Sequence, residues 1–256
     1  MTRYDARALN LLRELTVSQY KLKDQSTFFG FLWSFLNPLF MVGVLFAFFH
    51  ARLGESVEHY GIYLLLGLVQ YTHFANTTSG AMRVLLSMKP LTKEAVFPKE
   101  LLVVSSTMSH TLDFLIAMGF CVIAAYVSGV RPSASVLFLP CVLILQFLLV
   151  SWVSLLLSCV FVLARDIEHI YQVFLRALLF LTPVFYTRSF LGDGLAHYLV
   201  VLNPLAHMID LSRSILLDGA LPSGERLLGL LLVNGVLVAI AFRLFKSFEP
   251  RLAEYV

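Results

Sequence analysis

The stretch Val136–Leu163, VLFLPCVLILQFLLVSWVSLLLSCVFVL, runs without a single charged side chain. As a helix rising 1.5 Å per residue it would be about 40 Å long, more than a hydrocarbon core about 30 Å thick requires. Such a run is a membrane span, and it sets how its neighbours are read. Five further apolar stretches lie outward from it, Phe28–Phe49, Gly61–Met82 and Leu101–Val127 on one side, Ile167–Tyr186 and Leu227–Phe245 on the other. The expected fold is therefore an all-α membrane protein with six transmembrane helices. The whole composition agrees: of 256 residues 59% are hydrophobic and only 14% charged, with a mean hydropathy of +0.82. A water-soluble fold would lack polar surface at that ratio.

The net charge of +3 is too small to suggest a nucleic-acid partner, and it informs only when assigned to sides of the membrane. Six crossings leave both termini on one side. With the N-terminus inside, the inner segments hold Arg3, Arg7, Arg13, Lys21, Lys23, Arg83, Lys89, Lys93, Lys99, Arg165, Arg243, Lys246 and Arg251. The outer segments hold only Arg52, Arg131, Arg188, Arg213 and Arg226. This asymmetry predicts an N-in, C-in topology in a cytoplasmic membrane. Residues 1–27 are too charged for a cleaved secretory signal. Their apolar positions Tyr4, Ala8, Leu11, Leu12, Leu15 and Leu22 recur at helical spacing, which predicts an amphipathic helix lying in the plane of the inner interface. Residues 28–247 form the transmembrane domain and 248–256 a cytoplasmic tail. Cys121, Cys141 and Cys159 all lie in apolar runs and are expected to act as small hydrophobes.

Between the fifth and sixth spans, Leu195–Leu217 is apolar but broken by Asn203-Pro204. Asn is a good N-cap and Pro suits the first helical position, so two short helices are expected, the second closing near Gly219. Each is too short to cross, which predicts a re-entrant or interfacial pair on the outer side. Between the second and third spans, Lys89-Pro90-Leu91-Thr92-Lys93-Glu94-Ala95-Val96-Phe97-Pro98-Lys99-Glu100 places Pro90 to begin a helix and Pro98 to end it. The segment reads as a basic knob that could dock in a soluble partner through Phe97, or simply as inner-side charge.

Two ionisable residues fall within spans at matched depth, Asp113 and Arg176. A lone intramembrane charge is expensive, so a contact between them is expected, with His110, one turn from Asp113, as the competing partner. Alternatively Arg176 faces a watery cavity and meets substrate phosphate. No phosphate-cradling G-x-x-x-x-G-K-[ST] loop, H-E-x-x-H pair or G-x-S-x-G elbow occurs. No catalytic residue and no metal ligand is assigned, and no cofactor is expected in this chain. An intramembrane glycosyl or acyl transferase would need converging acids, bases or metal ligands, and His110 with Asp113 are a poor set.

At this point the chain resembles the ABC-2 type exporter permeases, within them the branch that exports O-antigen, capsule and teichoic-acid polysaccharides. The resemblance rests on Tyr20-Lys21 followed by Gly30-Phe31-Leu32-Trp33-Ser34-Phe35-Leu36-Asn37-Pro38-Leu39, Phe97-Pro98-Lys99-Glu100, Arg165-Asp166, Thr182-Pro183-Val184-Phe185-Tyr186, Leu202-Asn203-Pro204 with Arg213, and Phe248-Glu249-Pro250-Arg251. It implies a homodimer bound to two copies of a separate ATPase subunit, which carries ATP and Mg, and a lipid-linked polysaccharide passing along the dimer interface, the alternative within the same superfamily being a permease for a drug or small lipid. It further implies roles for named residues. Arg7, Lys89, Pro90, Lys93, Glu94, Phe97, Pro98, Lys99 and Glu100 would couple to the ATPase. Phe29 and Gly30 would form the lateral entrance loop, and Asn203, Pro204 and Arg213 the outer gate. Phe28, Phe31, Trp33, Phe35, Phe40, Phe174, Arg176, Phe180, Phe185 and Tyr186 would line the substrate pathway, since aromatic faces suit sugar rings as well as helix packing.

Overall fold

A computed structural model describes residues 3–24, 32–51, 57–94, 98–131, 133–188 and 194–255. They form α1 (Arg3–Asp24), α2 (Trp33–Phe49), α3 (Tyr60–Ser87), α4 (Lys89–Glu94), α5 (Glu100–Val127), a 3₁₀ turn (Ala134–Phe138), α6 (Leu139–Leu163), α7 (Ile167–Leu181), α8 (Leu195–Leu202), α9 (Pro204–Leu216) and α10 (Gly224–Tyr255). No strand occurs among the described residues. Phe28, Phe29, Gly30, Phe31 and Phe97, on which several expectations rest, lie outside them.

Three helices are long and apolar enough to cross a membrane: α5, the continuous Ala134–Leu163 unit, and Gly224–Pro250 of α10. The other expected spans differ for two physical reasons. α2 and α7 have 17 and 15 described residues, about 22–26 Å at 1.5 Å per residue. α3 is long, 28 residues, but carries Gln70, His73, Asn76, Thr77, Thr78 and Ser79 in its middle. It tolerates them because it is the central helix, packed against α2, α5, α6 and α9. Gln70, Thr77 and Thr78 are fully buried. Thr78 donates to the Phe74 carbonyl at 2.7 Å and accepts from the Tyr171 hydroxyl of α7 at 2.6 Å, and Gln146 of α6 donates to the Gln70 carbonyl at 3.3 Å. A buried polar group is tolerated when its partners are built in; the helix trades lipid-facing apolarity for interhelical bonds.

α10 shows the opposite economy. Leu228, Leu232 and Val236, one turn apart, are more than half exposed, whereas Asn234, Ala241 and Phe245 are buried against the core. Trp152 of α6 donates to Asn234 at 3.3 Å. At the far end Lys246 holds Glu100 at 2.7 Å and Glu249 at 3.0 Å, and Glu249 accepts the Lys99 backbone N–H at 3.0 Å.

Several boundaries depart from expectation. α7 stops at Leu181 instead of running to Tyr186, because Pro183 disfavours helical backbone at Thr182, which is extended at φ −105°, ψ 134°. α6 begins at Leu139 after a 3₁₀ turn, with Pro140 in its first turn, and α10 extends beyond Leu227–Phe245 at both ends. α4 is described as far as Glu94, residues 95–97 lying outside the described set, and Pro98 stands at the entrance of α5, where its carbonyl accepts the Leu101 N–H at 3.1 Å. The break at Asn203-Pro204 falls where expected. Asn203 caps α9 by accepting the Leu205 N–H at 3.0 Å, and after Leu216 the chain turns through Gly219 at φ +62°, a left-handed backbone suited to glycine.

Candidate functional site

Three constellations gather the chemically active side chains. The first surrounds Arg213 of α9. The residue is only 5% exposed, yet among the described residues no carboxylate forms a salt bridge with it. Nε and Nη2 donate to the Tyr63 carbonyl at 3.2 and 2.9 Å, Nη1 to Pro183 at 2.6 Å, and Nη2 to Val184 at 2.7 Å. The fork also lies 3.3 Å above the Tyr63 ring. Neighbouring bonds fasten the same turn: Asn203 donates to the Thr182 hydroxyl at 2.8 Å, Tyr60 to the Phe185 carbonyl at 2.7 Å, Tyr63 to the Tyr186 carbonyl at 2.9 Å, and Tyr186 back to the Phe180 carbonyl at 2.7 Å. Carbonyls freed where α7 stops are thus satisfied by side chains of α3 and α9 and by Tyr186 of the turn itself. The approach needs Gly67, where an added Cβ would stand 2.6 Å from Arg213 Nη2 and 3.0 Å from the Val184 oxygen. Asn203, Pro204 and Arg213 therefore sit at one hub that fixes the 182–186 turn to α3, α8 and α9.

The second constellation lies between α3 and α5. Asp113 is paired with Lys23, near the end of α1, and not with Arg176. The expected Asp113–Arg176 contact is corrected here: Arg176 lies on the exposed face of α7, and equal depth does not bring two side chains to the same side of a bundle. The Lys23 contact also ties α1 to the bundle. Gln19 donates to Ser105 at 2.6 Å and Lys23 reaches Asp113, two turns farther along α5, so α1 packs against that helix. His110 does not meet Asp113 directly; its Nδ1 is 2.9 Å from the Ser106 carbonyl, and its ring fits over Gly80, where a Cβ would come within 2.8 Å. His73 stacks on Phe114 with centroids 4.2 Å apart and contacts Thr77 through Nδ1 at 3.1 Å.

The third comprises the aromatic flanks and the inner face. Trp33 and Phe40 of α2 and Phe174 and Phe180 of α7 are exposed. Phe35 stacks on Phe120 at 4.7 Å, and Phe185 packs against Phe49 at 5.1 Å and Phe180 at 5.8 Å. Tyr186 is 6% exposed and built into the hub. On α4, Lys89 and Pro90 are exposed, while Thr92 is buried and donates to the carbonyls of Leu85 and Met88 at 2.9 and 3.1 Å, lashing α4 to the end of α3. Glu100 is buried and engaged by Lys246. Arg7, Lys93 and Glu94 lie in α1 and α4, their side chains outside the described set. Among the described residues no group of three or more His, Cys, Asp and Glu could hold a metal ion.

Sequence reasoning missed Lys23, Tyr60, Tyr63, Gly67, His73, Thr92 and Thr182. Gly67, inside an otherwise apolar helix, and the polar run of α3 were the available signals. The hub's acceptors are backbone carbonyls, which leave no trace in residue type.

The profile of the ABC-2 type transporter family matches residues 10–217. The O-antigen export system permease protein RfbA of Klebsiella pneumoniae is 26% identical over 247 residues, covering 96% of this chain and 94% of its own. Its namesake from Myxococcus xanthus is 26% identical, covering 96% and 95%, and a second Klebsiella pneumoniae protein of the same name is 25% identical, covering 96% and 94%.

Proposed function

Because this chain belongs to the ABC-2 type transporter family, we propose that it is the permease subunit of an O-antigen exporter, an integral protein of the bacterial inner membrane. The observation that carries the reading is similarity along 96% of the chain to three permeases named for O-antigen export. In this reading the polypeptide crosses six times, with α2, α3, α5, α6, α7 and α10 as spans, both termini cytoplasmic, and α8–α9 as a re-entrant pair at the outer face. Two copies form a homodimer, and two copies of a separate ATPase supply ATP and Mg. The exposed aromatics Trp33, Phe40, Phe174 and Phe180, with exposed Arg176, support a sliding surface for a lipid-linked polysaccharide, because flat apolar rings contact sugar faces without fixing one register. Exposed Lys89 and Pro90 on a lashed α4 support a rigid docking knob for the ATPase, which lies with α1 on the cytoplasmic side.

Deleting the gene in its host and scoring surface glycan tests the reading. The expected result is loss of surface O-antigen with intracellular build-up of the lipid-linked polymer, both reversed by the gene in trans. Unchanged surface glycan with altered efflux of a small lipid or drug would replace the proposed cargo.

A further inference from the structure

Beside the Lys23–Asp113 pair, a partly open cleft of about 30 Å³ lies between α3 and α5, its polar lining being Lys23, Thr72, His73, Asn76, Thr77, His110 and Asp113. Two groups that line it lack a hydrogen-bond partner among the described residues, although both are buried: His73 Nε2 and Asp113 Oδ1. Their side chains are more than nine-tenths buried. An unsatisfied buried polar atom costs about 1–3 kcal/mol. A water molecule needs about 10–15 Å³ of such space and two or more polar partners. The volume, the two orphaned atoms and the neighbouring amide and hydroxyl of Asn76 and Thr77 therefore match one or two waters. The remaining wall comes from a third helix. Lys23 belongs to α1, a third of its side chain is exposed, and it stands opposite a carboxylate from a different element.

We propose that this chamber holds ordered water and that Lys23 is its removable stopper, latching α1 onto the α3/α5 core. Bound water lets the pair separate without stranding Asp113 in hydrocarbon, since the freed carboxylate passes from the ammonium to solvent already in place. The latch does not rest on the transport reading; within that reading, α1 faces the ATPase, and its release is the step at which motion of the motor reaches the membrane.

Two measurements on the full chain in lipid nanodiscs test it. In pulsed radiolysis, hydroxyl radicals formed from bound water should oxidise His73 far more than Phe245, which is fully buried in an apolar cluster; equal protection of both would remove the water. For the latch, a Gln19→Cys/Ser105→Cys pair is placed in a background with Cys121, Cys141 and Cys159 changed to Ala. Its disulfide formation reports α1 docking. Adding Lys23→Met should slow cross-linking by about tenfold or more, because removing one partner of a buried pair is strongly destabilising. Lys23→Arg and the control Lys21→Met should leave it unchanged. Equal rates with Lys23→Met and Lys21→Met would overturn the latch while leaving export of O-antigen untouched.

Discussion

Arg213 and Lys23 both carry positive charge against the apolar bundle, but the structure handles them differently. Arg213 is held by neutral carbonyls from two segments, α3 and the 182–186 turn, with no salt bridge to it among the described residues, so its position is fixed by backbone geometry. Lys23 is held by one carboxylate from one helix and remains partly exposed. A planar guanidinium engaged on several carbonyls at once has no single contact to give up, whereas one ammonium–carboxylate contact can part if water is at hand. The first arrangement makes a fixed joint; the second makes a contact that can open and close.

The largest effect should come from the fixed joint. Arg213→Met leaves the carbonyls of Pro183 and Val184 without their guanidinium donors and removes the contacts to Tyr63, an expected loss of about 3 kcal/mol or more. Thermal unfolding in detergent, followed by tryptophan fluorescence, should fall by roughly 6–12 °C. Arg213→Lys should recover little, because an ammonium lacks the planar fork. If Lys23→Met lowers stability as much as Arg213→Met, the contrast between joint and latch fails.

Gly67→Ala sharpens the same point, since the new methyl group would displace the guanidinium; overpacking of this kind costs about 1–3 kcal/mol. Combined with Arg213→Met, the two losses should be clearly less than additive, as both act through one contact. Full additivity would mean the fork is not what Gly67 makes room for.

Asn203→Ala removes both the α9 cap and the bond to Thr182, an expected loss of about 1 kcal/mol. Asn203→Asp keeps the cap and loses only the donor, so its unfolding midpoint should lie between the two. A midpoint for Asn203→Asp at or below that of Asn203→Ala would assign the stabilisation to the Thr182 bond alone.

The smallest effect belongs to α4. Thr92→Val cuts its tie to Leu85 and Met88, and amide exchange across Lys89–Glu94 should rise about fivefold while the global midpoint stays put. Unchanged exchange would show that the knob is held by something else.

How much of this was readable beforehand follows from where the information sits. The break at Asn203-Pro204 and the length of α5 and α6 are local properties, carried by capping residues and uninterrupted apolarity, and the residues reveal them directly. The end of α7 was also local, yet the effect of Pro183 on Thr182 was outweighed by the apolar run through Tyr186. Asp113 and Lys23 lie in helices far apart along the chain, and depth along a span says nothing about which side of the helix a residue faces. The Arg213 hub depends on carbonyl oxygens that every residue owns, so only its cation, and not its binding set, could be read from residue types.

The polar midsection of α3 bears on how the chain is made. In the proposed six-span topology, a helix carrying Gln70, His73, Asn76, Thr77 and Thr78 has, alone, a poor tendency to leave the translocon for lipid. Its shelter comes largely from α5 and α6, which are synthesised later. Ribosomes stalled before α6 emerges should thus leave α3 waiting at the insertion machinery, exposed to quality-control proteases, so the order of synthesis becomes part of this protein's assembly problem.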